Sequence, residues 1–294
     1  MDAAIQDVAP AGARVVTRAT GAVRRRALIP AAALFFAAAT VVYTFPLALS
    51  PGSLLLAGLG DHPSEAALIG WTAHQLLRAP RHLFDTEFFY PYSHTEAYWQ
   101  SVLVPGLLAT PVMAATGDAL LATNVVVLLS LTLSGLLTAA LAWSLTHRAI
   151  PSLVAGVAFA FFPNRLEHLN SPMVQMGFLL PVSLWAWLRF LDGARWRHLL
   201  LLVLALWGQS LSSLYYAFAD SFLLLAVGLG RVLLEPRTLS WRLVGRGALG
   251  AGVLALTLAP QHAPYVAIRQ SLGFDRPEEL SDWFGMALLS GLDP

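Results

Sequence analysis

The chain has 294 residues, of which 57% are hydrophobic and 12% charged, with a formal net charge of +1, and its mean hydropathy is +0.64. An ordinary soluble domain carries about 25% charged residues, so this is the composition of a membrane protein, and the near-zero net charge leaves no field for nucleic acid. Cysteine is absent and every permanent cation is an arginine; disulfides, thiolate catalysis and Cys-type zinc sites are excluded.

Residues 1–27 gather Arg14, Arg18, Arg24, Arg25 and Arg26 into a basic tail that belongs in the cytoplasm. Residues 28–50, "LIPAAALFFAAATVVYTFPLALS", are too long for a signal-peptide core and lack a small-x-small cleavage site, so they read as an uncleaved first span.

Residues 51–118 then form a large outer loop with interfacial helices. Within "GLGDHPSEAALIGW" and the residues after it, Pro63 opens a helical pattern running to about Ala79. Ile69, Ala73, Leu76 and Leu77 share one side, and Ser64, His74, Gln75 and Arg78 the other. That pattern predicts a helix on the membrane surface, with Trp71 at the interface. Asp61 falls at its N-cap, where the positive helix end favours an ionised carboxylate, and Glu65 follows at i+4. Next, "LFDTEFFYPYSHTEAYW" brings Tyr90, Tyr92 and Trp99 to the same loop, either as a sugar-stacking surface or as an interfacial aromatic belt.

Residues 101–116 are short and broken by Pro105, Gly106 and Pro111. If they crossed, the loops bearing Arg189, Arg195 and Arg197, and Arg231, Arg237, Arg242 and Arg246, would lie outside, against the positive-inside rule. A re-entrant or interfacial hairpin is therefore expected, with a Pro-broken span as the alternative.

Residues 119–260 form the helical bundle. The apolar run 199–234 would reach about 50 Å as one helix, against a hydrocarbon core of about 30 Å, so it should break at "GQSLSSLYY", 208–216, leaving Ser212, Ser213, Tyr215 and Tyr216 near one interface. The run 150–163 is short for a crossing. The loop after it, "FFPNRLEHLNSP", presents Arg165, Glu167 and His168; a guanidinium there suits a phosphate, with snorkelling as the plainer alternative. Asp220 is expected to face the bundle or the outer interface, because lipid would not tolerate it. Residues 261–294 read as an outer segment without a closing helix, as in an amino-terminal piece of a longer protein. The whole is one all-α polytopic transmembrane bundle.

His62, His74, His82 and His94 share the outer loop without helical ligand spacing, so no metal site or other cofactor is expected, although a divalent cation on Asp61 is compatible with the chemistry. No phosphate-binding glycine loop, dinucleotide fingerprint or Ser-His-Asp order is present.

A basic tail, one span, an outer loop opening with Gly60 and Asp61, a surface helix with "LIGW", then "LFDTEFFYPYSHTEA" and the pattern Pro163, Arg165, Leu166, His168, Leu169 together resemble the GT-C superfamily of bacterial membrane glycosyltransferases. The resemblance runs from about residue 28 onward and lies nearest the transferases that use polyprenyl-phosphate sugars. It implies an inner-membrane enzyme moving a sugar from such a donor to an envelope acceptor at the outer face, with Asp61 as the acceptor base. The superfamily often pairs this acid with a second one. Here His62 follows Asp61, so the partner acid, orienting the acceptor, is Glu65. Arg165 and His168 would steady the departing lipid phosphate, and Trp71, Tyr90, Tyr92 and Trp99 would meet the sugar. The rival expectation is a non-catalytic protein that transports or scaffolds an envelope lipid or polysaccharide, or an inactive relative.

Overall fold

The computed structural model describes residues 29–55 and 61–272, and all regular elements among them are helical. The basic tail, Gly60 and the segment from 273 onward lie outside the described residues. The helices are α1 (Ile29–Tyr43), α2 (His62–Arg78), α3 (Leu103–Thr116), α4 (Ala119–Thr146), α5 (Ala149–Ala160), α6 (Pro163–Glu167), α7 (Leu180–Leu191), α8 (Trp196–Ser210), α9 (Leu214–Leu234) and α10 (Trp241–Leu272). Among the described residues, five stretches are long and apolar enough to cross a membrane: Ala119–Thr146, Ala149–Glu167, Pro172–Leu191, Leu214–Leu234 and Trp241–Gln270.

The 28-residue α4 is the central post. At 1.5 Å per residue it reaches about 42 Å, beyond a core of about 30 Å. Its N-terminus is capped by Asp118, whose side chain accepts the Leu121 N–H at 2.9 Å. Small residues let α1 and α5 approach it closely. The fully buried ring of Phe36 on α1 fills the space left by Gly135 and Gly156, where an added Cβ would stand 2.3 and 2.4 Å from ring atoms.

The first turns of α4 carry α2 and α3. Buried Asn124 donates to the carbonyls of Pro51 and Leu54 at 2.7 and 2.9 Å, and its Oδ1 lies 3.0 Å from His62 Nε2. Because Asn124 uses its oxygen here, His62 Nε2 carries the proton. Burial lowers the His62 pKa and keeps the ring neutral.

Three expectations need correction. The buried stripe of α2 is not the apolar side alone: with Ile69, Gly70 and Ala73 it takes in His62, Glu65 and Gln75, while Leu77 is exposed. Contact with α3 on one side and α4 on the other explains this. Residues 103–116 form one helix and not a hairpin. Pro105 sits in the first turn, where its missing N–H costs nothing, and Gly106 lies where a Cβ would meet Thr72 at 2.5 Å. Finally, α10 continues past residue 260 to Leu272, through Pro260 and Pro264; helices in lipid tolerate such breaks because local adjustments re-satisfy the freed carbonyls.

The run 199–234 does break, at residues 211–213 between α8 and α9. Ser212 and Ser213 are fully buried there. The 15-residue α8 spans only about 22 Å, so this turn would expose backbone at membrane depth if lipid covered it. Protein covers it instead: the Val104 N–H donates to the Leu211 carbonyl at 3.0 Å, and Gln100 Oε1 accepts the Leu214 N–H at 2.8 Å. The segment before α3 is thus a lid on the α8–α9 turn.

Candidate functional site

The expected site residues lie on α2, on the segment 79–102 after it and on the stretch between α5 and α7, and the structure joins only some of them. Asp61 occupies the N-cap position of α2, but its side chain makes no capping hydrogen bond and is open to solvent.

Glu65, one turn on, is 5% exposed. Its oxygens accept the Ser171 hydroxyl at 2.8 Å and the Met173 N–H at 2.7 Å. Burial pushes its pKa up to about 7, with these two hydrogen bonds pulling it down and the charge of Asp61 raising it. With both oxygens engaged, Glu65 anchors the chain between α6 and α7, an arrangement different from the expected contact with an acceptor.

The segment that Glu65 holds also carries Arg165. Gln175, fully buried, donates to the carbonyls of Arg165 and His168 at 3.2 and 2.9 Å, tying that stretch into one unit. Arg165 itself is 3% exposed. Its Nε donates to the Tyr216 hydroxyl at 2.8 Å, and its guanidinium carbon lies 4.8 Å from the Phe159 ring centre and 5.1 Å from that of Tyr216. Neither terminal nitrogen has a hydrogen-bond partner, and among the described residues no carboxylate pairs with it. Gly177 stands where a Cβ would come 2.3 Å from Arg165 Nη2, so the missing side chain makes room for the cation. Snorkelling is therefore not what this arginine does.

His168 is exposed and donates Nδ1–H to the Asn164 carbonyl at 2.8 Å. Trp71 donates to the Leu83 carbonyl at 3.1 Å and so fastens α2 to the loop after it. Trp99 is half-buried against Phe89, ring centres 5.9 Å apart and nearly parallel. Tyr90 and Tyr92 are 89% and 64% exposed and stand beside exposed Phe88 and Phe89. This is the geometry of an aromatic surface patch more than of an enclosed sugar pocket.

The roles of several contributors were not assigned from the sequence. Ser171 and Gln175 position the loop, and Tyr216 orients Arg165. Glu96, 4% exposed, is pushed up to about 7 by burial while the Val102 N–H draws it down. Tyr216 lay within "GQSLSSLYY", and a polar cluster inside an apolar run was its signal; the others carried none. Asp220 faces the bundle, with both oxygens within 2.7 Å of the Ser183 hydroxyl. Among the described residues no group of three His, Asp or Glu side chains is placed to hold a metal.

Fold and site together define a polytopic helical membrane protein with an uncompensated cation buried at its covered end. No protein-family model matches this chain, and no curated protein or solved structure matches it either.

Proposed function

We propose that this chain is an inner-membrane glycosyltransferase of the GT-C kind, moving a sugar from a polyprenyl-phosphate donor to an envelope acceptor at the outer face. The observation that carries this reading is Arg165. A guanidinium stays charged at any ordinary pH, and a buried charge without a partner is costly. Two aromatic faces and one phenol offset only part of that cost; both terminal nitrogens are closed off from solvent, so a phosphate must part the surrounding side chains to reach them, and it then supplies the rest with bidentate geometry. The lipid tail of such a donor stays in the bilayer while its phosphate reaches the helix ends where Arg165 sits.

In this mechanism the exposed Asp61 carboxylate takes the acceptor hydroxyl proton as that oxygen attacks the anomeric carbon. The bond from that carbon to the phosphate oxygen breaks, the configuration inverts, and the lipid phosphate leaves with its negative charge held by Arg165. His168 lies on the same loop to assist the leaving group. Glu65 is a positioning residue: by holding Ser171 and Met173 it keeps the Arg165 segment in register with the start of α2. Trp71 and Trp99 stiffen the outer loop, and Tyr90 and Tyr92 sit at the membrane boundary. The arginines at the turns α4–α5, α7–α8 and α9–α10 orient this end outward and the amino terminus toward the cytoplasm.

The test is single-turnover cleavage of a radiolabelled polyprenyl-phosphate sugar by the purified chain in proteoliposomes. Asp61→Asn should abolish cleavage while retaining donor binding, and Arg165→Gln should weaken binding. Undiminished cleavage by Asp61→Asn refutes the assignment, and donor that crosses the bilayer uncleaved replaces it with transport.

A further inference from the structure

The opposite end of the bundle gathers a group of arginines around a cavity. The turns α7–α8 and α9–α10 meet there: Arg231 Nη2 pairs with Asp192 Oδ1 at 3.2 Å, and Arg246 donates to the Ala194 carbonyl. Between α7 and α8 lies a cavity of about 610 Å³ lined by Trp185, Arg189, Asp192, Arg195, Arg197 and His198. Its size is that of a small-ligand pocket. Asp192 is the one carboxylate in this lining, and it lies closer to Arg231, outside the cavity, than to Arg189, at 3.2 against 3.8 Å. The three lining arginines are thus left with an excess of positive charge.

The cavity is built, not merely basic. His198 is 8% exposed. It donates Nδ1–H to the Arg189 carbonyl at 3.0 Å, so its Nε2 is the acceptor for the Arg197 Nε–H at 3.2 Å. That bond occupies the inner nitrogen of Arg197 and leaves its terminal nitrogens for a ligand. Trp185 packs edge-on against His198, ring centres 5.7 Å apart, and its other neighbour is the Arg189 guanidinium at 5.8 Å. Cation, indole, imidazole and cation form one continuous wall. Toward the membrane, Leu201 lines the cavity, and Leu200 and Leu204 on α8 are 60% and 54% exposed, an apolar track leading away from the arginines.

We infer that this cavity binds the phosphate headgroup of an anionic diacyl phospholipid, with the acyl chains along Leu200 and Leu204 of α8. The cationic wall selects negative charge, and the adjoining apolar track selects a lipid over a soluble phosphate. The site is independent of the transfer reaction proposed above.

Native mass spectrometry of the purified full chain, titrated with phosphatidylglycerol or phosphatidylcholine, tests it. Phosphatidylglycerol should be retained preferentially. Arg197→Gln should weaken that retention about tenfold, the loss of one charge-assisted hydrogen bond, and Arg195→Gln, at a second lining residue, should weaken it in the same direction. Arg148→Gln, which removes an exposed charge outside the cavity at the α4–α5 turn, should leave it unchanged, as should Asp61→Asn. Equal losses in Arg148→Gln and Arg197→Gln would make the effect one of general surface charge and overturn the proposal. Displacement of the lipid by millimolar glycerol phosphate would overturn it in favour of a soluble anion.

Discussion

The Tyr216 hydroxyl accepts the Nε proton of Arg165 at 2.8 Å, so the start of α9 orients a cation carried by α6. That bond takes the inner nitrogen, and both terminal nitrogens are buried without a hydrogen-bond partner among the described residues. Arg165→Gln should raise the Kd for polyprenyl phosphate about a hundredfold, two charge-assisted hydrogen bonds. Tyr216→Phe should raise it a few-fold by loosening the guanidinium. Isothermal titration in detergent measures both, and an unaltered Kd in Arg165→Gln would remove the cation from the donor site.

Glu65 makes a pH-dependent prediction. Its folded pKa of about 7 lies above the unfolded value of about 4.3, so the folded chain holds the extra proton between them. Its contribution to stability is complete below the lower value and lost as pH rises through 7. An amide mimics the protonated acid. Glu65→Gln should therefore melt several degrees above wild type near pH 8 and match it only below about pH 4. A Tm difference that does not vary with pH contradicts the assignment. His62, whose pKa is lowered, destabilises the fold as pH falls through its unfolded value, but it does so equally in both proteins and cancels from the comparison.

Phe36 and Gly135 test the α1–α4 contact. Gly135→Ala places a methyl 2.3 Å from the Phe36 ring and should cost about 1–3 kcal/mol by overpacking. Adding Phe36→Leu should recover part of that loss, although Phe36→Leu alone is destabilising. Thermal unfolding of the four proteins gives the coupling; simple additivity would mean the two residues do not meet.

Ser183 and Asp220 form a polar pair inside the bundle. Ser183→Ala strips the buried carboxylate of its hydroxyl donor and should cost about 1–3 kcal/mol. Asp220→Asn should be far milder. Ser183→Ala combined with Asp220→Leu should be more stable than Ser183→Ala alone, because no orphaned polar group remains. The reverse order in thermal unfolding would show that Asp220 has another partner.

The interior of this protein was the hardest part to read from its sequence. In water an apolar stripe marks the buried face, but in a bilayer apolar residues also face lipid, and the helix contacts fall to small and polar residues. On α4 the buried positions include Thr123, Asn124, Ser130, Ser134 and Gly135, while Leu129 is 39% exposed. On α2 the same inversion hides Glu65 and Gln75 and exposes Leu77. The site was legible only in part for this reason: Asp61, Arg165 and His168 stood out as polar groups at the ends of apolar runs, whereas Ser171 and Gln175, whose task is to hold a loop, look like any loop residues.

By itself the sequence determined the membrane class, the extent of α4, the break between α8 and α9 and the bias of arginine toward one end, because each follows from local hydropathy, helix rise and charge count. Only the tertiary structure decided which face of α2 is buried, that residues 103–116 form one helix, that α10 runs on through two prolines, and that Arg165 is enclosed by aromatic rings with no carboxylate partner among the described residues. Those outcomes depend on which neighbour covers a given surface, and residues as far apart as 65 and 173 meet only when the whole chain is folded.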